Sequence, residues 1–109
     1  MEENWKKERI EKMEEKLKLA IRESNEKYLK GDVTATWCTF DDAETSDGTF
    51  KIRTWPGDST VDITYVCRAL RFADTGDMIA SFNTEYYSVK QMALLAIHAV
   101  EMYDFDKII

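Results

Sequence analysis

The sequence is poor in the residues that interrupt or cross-link a chain. Its 109 residues include one proline, four glycines and two cysteines. So little proline, together with 12% aromatic and 44% hydrophobic residues, excludes a disordered chain. Cys38 and Cys67 lie in strand-like runs, where we expect small buried side chains. A disulfide between them stays open, because a sequence does not give pairing geometry.

The residues that carry common catalytic chemistry are also scarce. The single histidine, His98, lies inside a helical run, so a Ser-His-Asp or Cys-His arrangement finds no local support. There is no Cys-x-x-Cys pair and no glycine-rich phosphate loop. We therefore expect a protein that is not an enzyme and has no cofactor or metal site. An enzyme with an unfamiliar site is the third-ranked alternative.

Long apolar runs are missing as well. No stretch reaches the roughly 18–20 apolar residues of a membrane span, and the amino terminus lacks the apolar core of a secretion signal. We expect a cytoplasmic protein without membrane contact. The length is that of one domain, residues 1–109, with one hydrophobic core.

The chain begins with a charged amphipathic helix over 1–31. Apolar residues recur on one side at helical spacing, and Glu-to-Lys pairs four residues apart cover the other sides. Gly31 is placed to end the helix in a left-handed conformation. The members of the apolar stripe are Ile10, Met13, Leu17, Ile21 and Tyr28.

The middle of the chain, 32–87, reads as a four-stranded sheet. Strand-like runs cover 33–40, 49–55, 60–72 and 78–87, and short polar links between them favour an antiparallel meander. Ser88 and Gln91 form a capping pattern that opens a second helix over 88–104. The predicted fold is α+β in the order α-β-β-β-β-α.

The charge is uneven. Residues 1–30 carry nine Lys or Arg and eight Asp or Glu, while the whole chain has a net charge of −6. This charge argues against DNA binding and favours a protein partner with a basic surface. We expect an inhibitor, immunity or host–virus conflict protein whose carboxylates mimic nucleic acid. The carboxylates in the strand-connecting segments are Asp41, Asp42, Glu44, Asp47, Asp58, Asp74 and Asp77.

Both helices offer additional apolar surface. The stripe of the first helix is as narrow as a coiled-coil seam, so it either lies on the sheet or joins two copies in a homodimer. Trp5 and Leu19 lie off this stripe, and Leu94 stands among polar residues of the second helix. We expect these three side chains to contact a partner.

The second-ranked function is RNA binding through the sheet face opposite the core. Period two along the strands sends basic and aromatic residues to that face, namely Lys51, Arg53, Trp55, Arg68 and Tyr87. The last helix, which opens Ser88-Val89-Lys90 and continues in alanines, is faintly similar to that of a double-stranded-RNA-binding domain. That similarity implies phosphate contacts at its start. The alternative is a solvent-exposed face without a binding role, in which the basic residues pair with Asp62 and Glu85.

Overall fold

The computed structural model describes residues 2–42, 48–67 and 77–102, and the side chains within 7–42, 48–66 and 78–102. The elements are α1 (Glu2–Leu29), β1 (Thr36–Asp41), β2 (Gly48–Thr54), β3 (Thr60–Cys67), β4 (Asp77–Asn83) and α2 (Val89–Met102). The α+β prediction and its element order are confirmed.

Helix α1 ends at Leu29, and Gly31 follows it in the left-handed conformation that the sequence predicts. This glycine has φ of +80°, and its N–H donates to the Tyr28 carbonyl at 3.0 Å. The Asp32 N–H donates to the Lys27 carbonyl at 2.9 Å, which completes a Schellman motif. One of the predicted Glu-to-Lys pairs along the helix is Glu14 and Lys18, with Lys18 Nζ 3.4 Å from Glu14 Oε1.

The sheet is an antiparallel meander in the order β1-β2-β3-β4. In the register, Phe40, Phe50 and Tyr65 lie opposite one another across the first three strands. Pairing of β3 with β4 contains a register shift between Ile63 and Thr64, which marks a β-bulge.

Both helices pack on the same face of the sheet. Met13, Leu17 and Ala20 of α1 are fully buried and join one core with the inward side chains of the strands and the buried face of α2. The sheet and α2 therefore cover Met13 and Leu17 of the stripe, while Ile10 and Ile21 are half-buried and Tyr28 is 56% exposed. A homodimer through part of the first helix stays a prediction.

The fourth strand is shorter than predicted. It ends at Asn83, whose side-chain oxygen accepts the Glu85 N–H at 2.9 Å and whose carbonyl accepts the Tyr86 N–H at 3.0 Å. Asparagine favours such turns because its side chain imitates a backbone acceptor. Tyr87 therefore lies beyond the strand, and its predicted place on the sheet is wrong.

Helix α2 begins with the predicted capping box. The Ser88 N–H donates to Gln91 Oε1 at 2.8 Å, and the Gln91 N–H donates to Ser88 Oγ at 3.1 Å. Its buried face contains Met92, Ala93, Ala96, Ile97 and Val100. Within the described residues, no helix is long and apolar enough to cross a membrane.

Candidate functional site

The helices leave one face of the sheet uncovered by any other helix or strand that the structure describes. We call it the outer sheet face. Its side chains alternate with the core residues along each strand, and the paired positions place them in rows across the sheet. The described members that carry charge or a large ring are Trp37, Asp41, Lys51, Arg53, Trp55 and Asp62.

Three of these side chains form a Trp–Arg–Trp cluster, consisting of Trp37, Arg53 and Trp55. Trp37 lies directly opposite Arg53 in the β1–β2 register, and Trp55 follows Arg53 by two residues on the same face. The Arg53 guanidinium carbon is 5.4 Å from the Trp37 ring centroid and 5.7 Å from the Trp55 ring centroid. Both distances fall in the range of a cation–π contact.

Hydrogen bonds hold the guanidinium in contact with both rings. Its Nη2 donates to Asp62 Oδ2 at 2.7 Å, and the Ser81 hydroxyl donates to the other oxygen of Asp62 at 2.6 Å. The buried Arg53 Nε has no hydrogen-bond partner among the described residues. The two rings remain accessible, with Trp37 51% and Trp55 40% exposed. The cluster is thus a preformed surface of two exposed rings around a fixed cation.

The structure brings together only part of the predicted basic and aromatic set. Lys51, Arg53 and Trp55 lie on the outer sheet face, and Arg68 lies outside the described residues. Tyr87 packs edge-on against Phe82, which points into the core, so its predicted place on the outer sheet face is wrong. The sequence prediction missed Trp37, although period two in β1 separates it from Cys38 and Phe40.

The predicted acidic surface does not assemble among the described residues. Asp41 and Asp58 are exposed, but the strand register places them at opposite ends of the sheet. The other four members, apart from Asp42, have no described side chain: Glu44, Asp47 and Asp74 lie outside the described residues, and Asp77 is described only as backbone of β4.

Asp42 corrects the acidic-surface prediction directly. It is 3% exposed, so the prediction that it contacts a partner is wrong. Its Oδ1 accepts Arg9 Nε at 2.8 Å, its Oδ2 accepts the Tyr65 hydroxyl at 2.8 Å, and Arg9 Nη2 also donates to Oδ2. Asp42 follows the inward-pointing Phe40 by two residues. Because residues two apart in a strand point to the same face, this spacing in the sequence already predicts an inward position for Asp42.

Two of the three helical side chains in the prediction, Leu19 and Leu94, are described, and they lie on different helices. The Trp5 side chain is not among those described, Leu19 is half-buried on α1, and Leu94 is 49% exposed on α2. Leu95 beside it is 41% exposed. Leu19, Leu94 and Leu95 do not join the Trp–Arg–Trp cluster.

Two titratable groups on the described surface are poorly suited to catalysis. Backbone and side-chain hydrogen bonds from Thr60 hold the pKa of Asp58 below its ordinary value, which makes this carboxylate a weak base. Burial raises the pKa of the Cys38 thiol, a free thiol, so little of it is thiolate near neutral pH. The described part of the chain contains no group of three His, Cys, Asp or Glu side chains that could hold a metal ion.

One small crevice lies between α1 and the β2–β3 turn, with a volume of about 270 Å³. Its walls include Tyr28, Thr54 and Asp58. The Tyr28 ring packs against Gly57, where an added Cβ would lie 2.7 Å from the ring. The carboxylate of this crevice is Asp58, whose pKa lies below its ordinary value for the reason given above.

Comparison with protein-family models, with curated proteins and with solved structures found no match to this chain. We therefore infer function from the residues of the outer sheet face.

Proposed function

We propose that this protein acts by binding another protein, without catalysing a reaction, and that the outer sheet face is the contact surface. The observation that carries the proposal is the Trp–Arg–Trp cluster, in which two exposed indole rings both contact one guanidinium that Asp62 holds. The proposed contact surface is thus the sheet face and not the acidic segments that connect the strands.

The composition of the cluster supports a protein interface. Tryptophan and arginine are over-represented among the residues that dominate binding energy, because they combine large apolar area with directed polar groups. Arg53 is already desolvated in part and held by Asp62. Because Asp62 already holds the Arg53 side chain, that side chain loses less entropy on association.

The charges on this face favour protein over RNA. Lys51 and Arg53 are balanced by Asp41 and Asp62, so the described part of the outer sheet face has no excess positive charge. Binding of nucleic acid depends on neutralising phosphates with surplus lysine and arginine. In addition, Arg53 occupies one side of each indole, where a base would otherwise stack.

The net charge of −6 adds a condition on the partner. A chain of this charge attracts basic proteins over distances comparable with the Debye length, about 10 Å at 0.1 M salt. We therefore propose a partner with a basic surface around the apolar contact. Association would slow as salt rises, while the indole contacts would set the rate of dissociation.

The test is a pair of aromatic truncations at two separate places on the surface. Trp55→Ala removes one ring of the cluster, and Tyr86→Ala removes a ring that is 76% exposed beyond the end of β4. Proteins captured from a lysate of the source cells, with and without nuclease, would be identified by mass spectrometry. Affinities would then be measured with the purified partner.

We expect a nuclease-resistant partner whose dissociation constant rises about 30-fold with Trp55→Ala, since an interface hot spot contributes roughly 2 kcal/mol or more. Tyr86→Ala should leave the affinity unchanged. Capture that is lost on nuclease treatment would support RNA binding instead. Equal affinities for wild type and Trp55→Ala would exclude the cluster as the contact.

A further inference from the structure

The crevice between α1 and the β2–β3 turn is lined mainly by polar side chains. Its volume of about 270 Å³ lies just below the roughly 300–1,000 Å³ of pockets that hold drug-sized molecules, so it suits a smaller ligand. Asn25 contributes an amide and Asp58 a carboxylate. Hydroxyl and amide groups both donate and accept hydrogen bonds, so this lining favours a ligand that does the same. The hydroxyl-bearing aliphatic residues of the lining are Ser24, Thr54, Ser59, Thr60 and Thr84.

Backbone hydrogen bonds hold the walls of the crevice in place. The Asp58 N–H donates to the Trp55 carbonyl at 2.9 Å, and Asp58 Oδ1 accepts the Thr60 N–H at 2.8 Å. The Thr84 N–H donates to the Ser59 carbonyl at 2.8 Å, which joins the segment after β4 to the β2–β3 turn. A site whose walls are ordered before binding loses less entropy when a ligand enters.

The base and the rim of the crevice offer different contacts. Thr54 and Ser24 are only 3% and 5% exposed, so they lie at the base, whereas Asn25 and Asp58 are exposed at the rim. Tyr28, which is 56% exposed, adds an aromatic ring that can pack against C–H groups. The crevice thus combines hydrogen-bonding groups at two depths with one apolar ring surface.

The charges around the crevice favour an uncharged ligand. Asp58 is the one charged side chain among the described residues that line it, so an anion would meet no positive partner there. Two basic residues of the same part of α1 make other contacts: Arg22 lines a separate groove with Val89, and Lys27 Nζ donates to the Thr34 carbonyl at 3.1 Å. A cation would gain little, because water screens its attraction to an exposed carboxylate.

We propose that this crevice binds a single uncharged sugar ring, either a free monosaccharide or the terminal unit of a glycan. Sugar hydroxyls donate and accept, as the serine, threonine and Asn25 side chains of the lining do. The Asp58 carboxylate accepts hydrogen bonds from sugar hydroxyls, and such charge-assisted hydrogen bonds are stronger than neutral ones. The C–H groups of the sugar pack on the Tyr28 ring. None of the three residues of the Trp–Arg–Trp cluster lines the crevice, so sugar binding does not depend on the protein contact at the outer sheet face.

Titration of isotope-labelled protein with sugars, followed by NMR, tests the site. The probes are glucose, galactose, mannose and N-acetylglucosamine, each as the free sugar and as its methyl glycoside, which imitates a terminal glycan unit. Glucuronate and glucosamine are the anionic and cationic controls. We expect an uncharged sugar to bind with a Kd of about 1–10 mM and to shift the amides of residues 24–28, 54–61 and 84. Tighter binding of the methyl glycoside would indicate a glycan, and tighter binding of the free sugar a monosaccharide.

Two aspartates supply matched variants. Asp58 and Asp32 are both exposed, and each accepts the backbone N–H of the threonine two residues later. Asp58→Asn should raise the Kd of the sugar about tenfold, because it removes a charge-assisted acceptor, while Asp32→Asn should leave it unchanged. Asn25→Ala, at an exposed position of α1 where alanine preserves the helix, should also raise it about tenfold.

Three outcomes would overturn the proposal. One is the absence of amide shifts with every uncharged sugar at about 100 mM, well above the expected Kd. Another is equal sugar affinity of the Asp58→Asn and Asp32→Asn variants. The third is tighter binding of glucuronate or glucosamine than of any uncharged sugar, since the lining would then select a charge.

Discussion

At the scale of single residues, Asp41 and Asp42 show how adjacent carboxylates acquire different roles. Asp41 is exposed and accepts a hydrogen bond from the Thr49 hydroxyl at 3.2 Å. Asp42 is buried and joins Arg9 of α1 to Tyr65 of β3. Arg9 Nη1 also lies 4.0 Å from Glu101 near the end of α2. The buried carboxylate thus ties three elements together at one end of the molecule.

The pair supplies a matched prediction. Asp42→Asn leaves the Arg9 guanidinium, which is 7% exposed, without its buried counterion, and we expect the free energy of unfolding to fall by about 3–5 kcal/mol. Asp41→Asn should change it by less than about 0.5 kcal/mol. Urea denaturation followed by circular dichroism would measure both. Similar losses for the two variants would show that the buried pair contributes little.

At the scale of elements, local side-chain hydrogen bonds decide where helices and strands end. Asp32, just after the end of α1, accepts hydrogen bonds from the backbone N–H and hydroxyl of Thr34, which lower its pKa. Asn83 ends β4 in the same manner, and Ser88 begins α2 five residues later. Each end uses a short polar side chain that satisfies backbone groups the element leaves unpaired.

The capping box of α2 gives the prediction at this scale. Ser88→Ala removes the acceptor for the Gln91 N–H, and we expect a loss of about 1 kcal/mol in the free energy of unfolding. Ser88→Gly should cost only a few tenths, since glycine is tolerated at this position. Thermal and urea unfolding of the two variants would compare them. An alanine variant as stable as the glycine variant would mean that the cap contributes little here.

At the scale of the whole molecule, the central and edge strands of the sheet differ in local stability. Strands β2 and β3 are paired on both sides, and their inward residues Phe50, Ile52 and Ile63 are almost fully buried. Strands β1 and β4 each pair with a single neighbour among the described strands. Opening of an edge strand disrupts fewer buried contacts than opening of a central strand.

Hydrogen exchange should reveal this order. At low protein concentration, we expect the amides of β2 and β3 to exchange only through global unfolding, and those at the end of α1 near Leu29 to exchange fastest. Amides of β1 and β4 should be intermediate. Exchange measured residue by residue with NMR would test the ranking, and edge amides as slow as those of Ile52 and Ile63 would contradict it.

The sequence by itself determined the elements and most of their orientation. Periods of 3.6 and 2, the glycine at position 31 and the Ser88–Gln91 cap are local signals, so they predict the helices, the four strands and the outward direction of Lys51, Arg53 and Trp55. These properties depend on residues close in the chain and on the chirality of the backbone, and the structure agrees with them.

Only the tertiary structure decided which of these side chains meet. Trp37 and Arg53 are neighbours because the strand register pairs them, and Asp42 is buried because Arg9, 33 residues earlier, reaches it from α1. The sheet and α2 cover Met13 and Leu17 of the α1 stripe, a burial that periodicity alone left open. Such outcomes depend on contacts between residues that are far apart in the sequence. A local sequence pattern does not determine the free energy of those contacts.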